Sequence, residues 1–138
     1  MKTIPAKKIR KAYRKLWPLM LPAQCMDSDY LLETVDNIKA IIDKCQRYKK
    51  IQFRDQIADC DNYALSLWAE FDEIWGATPG YNLPCPFGRA SGLKFNGEAE
   101  NHTLNTLLCD TGIYFFEPQL GQLWLADKNN DLIFLVQM

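Results

Sequence analysis

The sequence contains only one histidine, His102, and no two cysteines at the short spacing of a zinc site. Its five cysteines are an odd number and lie far apart, so neither a structural zinc site nor a complete disulfide framework is indicated. We therefore expect reduced thiols, as in a cytoplasmic protein.

Long apolar runs are also missing. Those present, such as 132–136, are far too short to cross a bilayer, and no secretory apolar region follows the basic N-terminus. We predict a soluble, unexported protein without a membrane partner. Because 48% of the 138 residues are hydrophobic, the chain can bury a real core, and we expect a folded globule and not disorder of the whole chain.

The net charge of −1 hides an uneven distribution, because residues 1–15 contain seven basic side chains and no acidic one. Clustered positive charge can bind phosphate or an acidic partner. The simpler interpretation is the solvated face of a short helix. No stacking platform or nucleic-acid motif accompanies the charge, so we do not expect a nucleic-acid partner.

Apolar residues recur at helical spacing in the first half of the chain, between capping residues and stretches with proline or glycine. This pattern predicts three helices, from Pro5 to about Trp17, from 27–29 to about Tyr48, and from Asp59 to Gly76.

The second half changes character. Proline and glycine predict a long loop over 76–92, and short β-prone runs follow, separated by turn residues. Helices first and strands afterwards predict an α+β fold, with N-terminal helices packed on a C-terminal antiparallel β-sheet. We expect one domain, comprising a basic helix and proline-rich link (1–22), a helical part (27–76) and the sheet (92–138).

Cys60 falls in the first turn of the third predicted helix, where the helix dipole favours a thiolate. Strand alternation places His102 on one face of its strand, and Glu117 and Gln119 together on one face of the next. A tight turn at Thr111–Gly112 leaves Gln119 nearer the histidine. An earlier turn or a bulge brings Glu117 closer, so either side chain can orient the imidazole.

Each of these residues has a structural explanation when taken alone. Cys60 fits a buried thiol, His102 a packing residue, and Glu117 and Gln119 polar positions at a strand end. Together they fit a cysteine hydrolase, in which His102 removes the Cys60 proton, the thiolate attacks a carbonyl, and His102 protonates the leaving group.

Three segments carry a family resemblance: DCDNYA at 59–64, NHTLN at 101–105 and FEPQ at 116–119. In this order they resemble the DCDDFA, HAxN and EPQ motifs of an agglutinin-related family. Its members include the papain-like C-terminal domain of the Marasmius oreades agglutinin and small proteins common in bacteriophage genomes. The resemblance, over about 50–125, implies a papain-like fold, a triad of Cys60, His102 and Glu117, and activity that depends on a calcium-like divalent ion.

The sequence departs from these motifs at Asn62, where the family has an acid, and at Thr103. No sugar-binding lectin repeats are present in so short a chain. Asp59 and Asp61 are candidate metal ligands besides their capping role, and Gln56 is the upstream glutamine that could serve an oxyanion hole.

The resulting prediction is a papain-like cysteine hydrolase of protease, peptidase or acyl-transfer type, acting on a peptide or protein substrate. Its predicted catalytic residues are Cys60, His102, Glu117 and Gln119, and its location is a cytoplasm, that of the host if a phage encodes it. The alternative is a catalytically inactive papain-like module that serves as a phage interaction or structural protein.

Overall fold

The computed structural model of the protein describes residues 2–55 and 59–138; Gln56, the candidate oxyanion residue, lies outside them. The described residues form an α+β fold, which confirms the predicted class. In chain order the elements are β1 (Lys2–Pro5), α1 (Ala6–Leu16), β2 (Asp29–Leu32), α2 (Val35–Lys44), a 3₁₀ helix (Arg47–Lys50), α3 (Cys60–Ala77), β3 (Phe87–Phe95), β4 (Glu98–Cys109), β5 (Gly112–Glu117), β6 (Gln122–Leu125) and β7 (Leu132–Gln137).

The main sheet is antiparallel and has the strand order β6-β5-β4-β3-β7. The segment after α1 covers the β7 edge, since the Leu21 N–H donates to the Phe134 carbonyl at 3.1 Å and the Gln24 N–H to the Val136 carbonyl at 2.8 Å. β1 and β2 form a separate two-stranded sheet. No described helix is long and apolar enough to cross a membrane.

Two apolar cores lie on the sheet. Tyr13 of α1 packs in the first core with Leu104 and other sheet residues. Phe71 of α3 packs in the second core with Leu107, three positions further along β4. Successive strand residues point to opposite faces, so β4 contributes to both cores. All five cysteines are free thiols.

The second predicted helix starts too early. Residues Asp29–Leu32 form a strand paired with β1, and α2 begins only at Val35, after Thr34, whose hydroxyl accepts from the Asn37 N–H at 3.2 Å. The apolar pattern misled because Tyr30 and Leu31, adjacent in sequence, are buried in different cores. Adjacent side chains that point to opposite sides are typical of a strand, and counting apolar residues at helical spacing does not detect them.

The predicted loop over 76–92 is also too long, because β3 already begins at Phe87. Gly88 and Gly92 looked like loop residues, yet both lie within β3. A Cβ at Gly88 would stand 1.9 Å from the Gln137 carbonyl oxygen, and one at Gly92 would stand 2.3 Å from the Leu132 carbonyl oxygen. These glycines allow β7 to approach β3 closely, which is a packing requirement and not a turn signal.

Candidate binding cleft

Cys60 is the first residue of α3 and is half-buried. A capping box fixes the start of this helix, and the Asp59 N–H donates to the Asn62 side-chain oxygen at 3.1 Å. Asn62, where the resembled motif has an acid, thus supplies the acceptor that the cap needs. The sequence signal for the helix start at Asp59 was sufficient to position Cys60.

His102 and Glu117 meet across β4 and β5. The turn at Asp110 and Thr111 pairs Cys109 with Gly112 and Asn105 with Phe116, so Glu117 is a diagonal neighbour of His102 on the same face. The His102 Nε2 contacts the Glu117 Oε2 directly.

Gln119 does not take that position next to the imidazole. Its backbone N–H donates instead to the second carboxylate oxygen of Glu117, at 3.2 Å. Of the two alternatives left open by the sequence, the structure therefore places Glu117 against the imidazole of His102.

The surroundings of His102 strongly raise the pKa of its imidazole. Its side chain is 13% exposed and that of Glu117 is 8% exposed. Burial disfavours the charged ring, but hydrogen bonds with Cys60 and Glu117 outweigh it and raise the pKa of His102 from 6.5 to about 10. The structure thus brings Cys60, His102 and Glu117 together, with a ring that stays protonated at neutral pH.

Asn105 connects the elements that bear these side chains, and its role was not predicted. It is fully buried, and its Nδ2 donates to the Ala64 carbonyl of α3 at 2.8 Å and to the Gly88 carbonyl of β3 at 3.0 Å. One amide on β4 thereby fixes the first turns of α3 against the sheet. The available sequence signal was its place at the end of the HAxN-like segment.

A cleft of about 520 Å³ opens at this end of the sheet. All four predicted site residues line it, together with groups that were not predicted. Its walls combine aromatic rings with carboxylates and amides, among them Phe53, Trp124, Glu98, Glu100, Asn101 and Gln122. Little in the sequence signals these residues, because they come from three separate segments, namely the stretch before α3 (Phe53), β4 (Glu98, Glu100, Asn101) and β6 (Gln122, Trp124).

The candidate metal ligands do not assemble into a site. Asp59 lines the cleft, whereas Asp61 does not. Within 2–55 and 59–138 no group of three or more His, Cys, Asp or Glu side chains is arranged to hold a metal ion. The described residues therefore do not fit the calcium-like ion that the resemblance implies.

Comparison with known proteins places the fold beside fungal lectins. No protein-family model matches the chain, and no curated protein matches it. A solved structure described as a PSL1a-E64 complex superposes with a TM-score of 0.77 at 19% identity, over 99% of this chain and 51% of that one. A Polyporus squamosus lectin bound to the epitope Neu5Aca2-6Galb1-4GlcNAc gives a TM-score of 0.69 at 21% identity, over 99% and 49%.

The chain therefore shares the fold of about half of each of these two structures and spans about half of their length. The neighbours are lectins, and one of them holds a glycan, so the predicted cysteine hydrolase or protease function is wrong. The predicted peptide or protein substrate is wrong for the same reason. The non-catalytic alternative has the better support. A catalytic role for Cys60, His102, Glu117 and Gln119 stays an untested prediction.

Proposed function

We propose that the chain is a non-catalytic binding module and that the cleft holds a neutral glycan. One observation carries the proposal: a single cleft combines exposed aromatic surface with many planar hydrogen-bonding side chains. Small-molecule sites are typically concave, largely apolar and provided with a few oriented polar groups. A pyranose ring needs both an apolar surface and polar groups, because it has apolar C–H faces and a rim of hydroxyls.

The aromatic part of the cleft is available to a ligand. Phe53 is 57% exposed although it is a large apolar residue. Trp124 is half-buried, and its Nε1–H donates to the Asp131 carboxylate at 3.2 Å, which fixes the plane of the indole. A fixed ring gives an apolar surface whose ordering costs little on binding.

The charge of the cleft limits the type of glycan. Among the described residues that line it, five are carboxylates and one, His102, is a cation; the carboxylates are Asp55, Asp59, Glu98, Glu100 and Glu117. Carboxylates accept hydrogen bonds from hydroxyls but repel an acidic sugar. We therefore assign a neutral glycan, unlike the Neu5Ac-bearing epitope held by the Polyporus squamosus lectin.

The predicted site residues take a binding role in this proposal. His102 and Glu117 contact each other directly and form one polar wall of the cleft, and Cys60 is hydrogen-bonded to the imidazole. Gln119 is exposed at the same wall. The papain-like classification belongs to the same proposal, and the chain order of Cys60 at a helix start followed by His102 and Glu117 on adjacent strands supports it.

Calorimetric titration with neutral and acidic oligosaccharides tests the proposal. We expect neutral glycans to bind and Neu5Ac-bearing ones to bind at least tenfold more weakly. Phe53→Ala should weaken binding about fivefold, the equivalent of a lost ring contact of about 1 kcal/mol. Phe134→Ala, which removes a ring 41% exposed outside the cleft, is the matched control and should change nothing.

Two results would overturn the proposal. The first is equal effects of Phe53→Ala and Phe134→Ala, since the cleft would then not be the site. The second is turnover of any oligosaccharide or peptide by the protein that disappears in Cys60→Ala, because a non-catalytic module has no product to release.

A further inference from the structure

A second surface lies away from the cleft, where α1, the segment after it, and β7 meet. We call it the N-terminal surface. One part is a groove lined by Arg10, Lys11, Arg14 and Lys15 of α1 with Pro22. None of the ion pairs found within 2–55 and 59–138 uses a side chain of α1, so no acid among these described residues neutralises the charges of the groove.

The other part of the N-terminal surface is apolar and unusually exposed. Leu19 is 100% exposed, Leu93 52%, Leu132 50% and Phe134 41%, and all four line one groove. Lys128 stands on the wall of that groove and adds a further cation. Contiguous exposed apolar groups with a polar rim mark interaction sites.

The basic and apolar parts form one continuous surface. Pro22 lines the basic groove and Leu19 the apolar one, three residues apart in the same segment. The Arg14 Nη2 donates to the Pro18 carbonyl at 3.4 Å, and the Leu21 N–H donates to the Phe134 carbonyl at 3.1 Å. The exposed Leu19 therefore stands between a row of cations and an apolar patch.

We propose that the N-terminal surface docks on an anionic lipid membrane. The cations would lie against acidic headgroups while Leu19 and its apolar neighbours enter the interface, which is the arrangement of peripheral membrane-binding elements. This contact needs no membrane-spanning segment. It also gives the basic block a role that a merely solvated helix face lacks.

The composition of the surface argues against the other partners. A symmetric dimer would place the same cations of two copies opposite each other, which is unfavourable. Binding of single-stranded nucleic acid uses aromatic stacking beside positive charge. Here the most exposed apolar group is a leucine, which gains from an acyl environment and cannot stack on a base.

Vesicle flotation tests the proposal with the full chain. We expect binding to phosphatidylcholine vesicles with about 30% phosphatidylserine, no binding to phosphatidylcholine alone, and loss of binding as salt rises. Lys11→Glu with Lys15→Glu should lower the partition constant at least 25-fold, at about fivefold for each cation removed. Lys49→Glu with Lys50→Glu, at exposed positions of the 3₁₀ helix, is the charge-matched control and should have a small effect.

The apolar contact is tested separately. Leu19→Ser should lower the partition constant about tenfold without affecting folding, because the side chain is fully exposed. Leu125→Ser, at a residue 55% exposed on the opposite edge of the sheet, is its control.

Three outcomes would overturn the proposal. The first is no flotation with phosphatidylserine vesicles at low salt, and the second is flotation that Leu19→Ser leaves unchanged. The third is binding to a DNA duplex or poly-glutamate that depends on Lys11 and Lys15, without any binding to vesicles. The third outcome would mean that the partner of the N-terminal surface is an acidic macromolecule and not a membrane. None of these results depends on the ligand of the cleft.

Discussion

The cleft and the N-terminal surface are opposite in charge and in construction. Five carboxylates line the cleft, whereas the first acid of the chain is Asp27, beyond the whole basic face of α1. The whole chain has 16 basic and 17 acidic residues, so its net charge of −1 describes neither surface. Each surface should therefore select its partner by its own local charge, since exposed charges act over about 8 Å at physiological salt.

The two surfaces also depend on different contacts. The cleft requires α3 to stay fixed against β4, which Asn105 secures through its hydrogen bond to Ala64. The N-terminal surface requires β7 to lie close to β3, which Gly88 and Gly92 allow. Substitutions that disturb one set of contacts should therefore separate the two surfaces experimentally.

Gly88→Ala should have the largest effect on stability. The new methyl group would stand 1.9 Å from the Gln137 carbonyl oxygen, a rigid backbone atom, so β7 must move. We expect a loss of about 3 kcal/mol in the free energy of unfolding, measured by urea denaturation. A loss below 1 kcal/mol would show that the close approach of β3 and β7 is not needed.

Asn105→Ala should follow, with a loss of about 2 kcal/mol, because two backbone carbonyls would lose their buried donor. Below its melting temperature the variant should bind glycan more weakly yet still float with vesicles. Hydrogen exchange would show the first turn of α3 opening. Equal losses at both surfaces would contradict their independence.

Glu117→Gln should cost about 1.5 kcal/mol at pH 6, the value of a charge-assisted hydrogen bond to the protonated imidazole. Because the folded protein raises the pKa of His102 from 6.5 to about 10, this stabilisation is complete below pH 6.5 and is lost as pH rises through about 10. Urea denaturation of both proteins between pH 6 and 10.5 should show the difference shrinking. A difference that does not change with pH would contradict the raised pKa.

Gly76→Ala should have the smallest effect and the opposite sign. Gly76 lies in α3, and an added Cβ would meet nothing within 4 Å. Alanine should therefore stabilise the protein by about 0.5–1 kcal/mol through better helix propensity. It is also the control for Gly88→Ala, since the two substitutions are chemically identical. Destabilisation by Gly76→Ala would indicate an unrecognised contact on α3.

Local signals predicted α1 and α3 to within one or two residues, because Pro5 and the Asp59 cap mark where these helices begin. They also gave the candidates Cys60, His102 and Glu117, since alternation and segment order are readable from sequence. What they missed depends on long-range packing. The strand at Asp29–Leu32 forms only because β1 is beside it, and Phe53 and Trp124 reach the cleft from distant segments.

Chemical-shift titration of the isotopically labelled protein with a neutral trisaccharide shows directly whether the cleft is a non-catalytic glycan site. We expect saturable shifts at Phe53, Gln119, Gln122 and Trp124, none at Leu19 or Phe134, and an unaltered sugar spectrum after prolonged incubation. Absence of saturable shifts with every neutral glycan, or the appearance of a cleavage product, would contradict it.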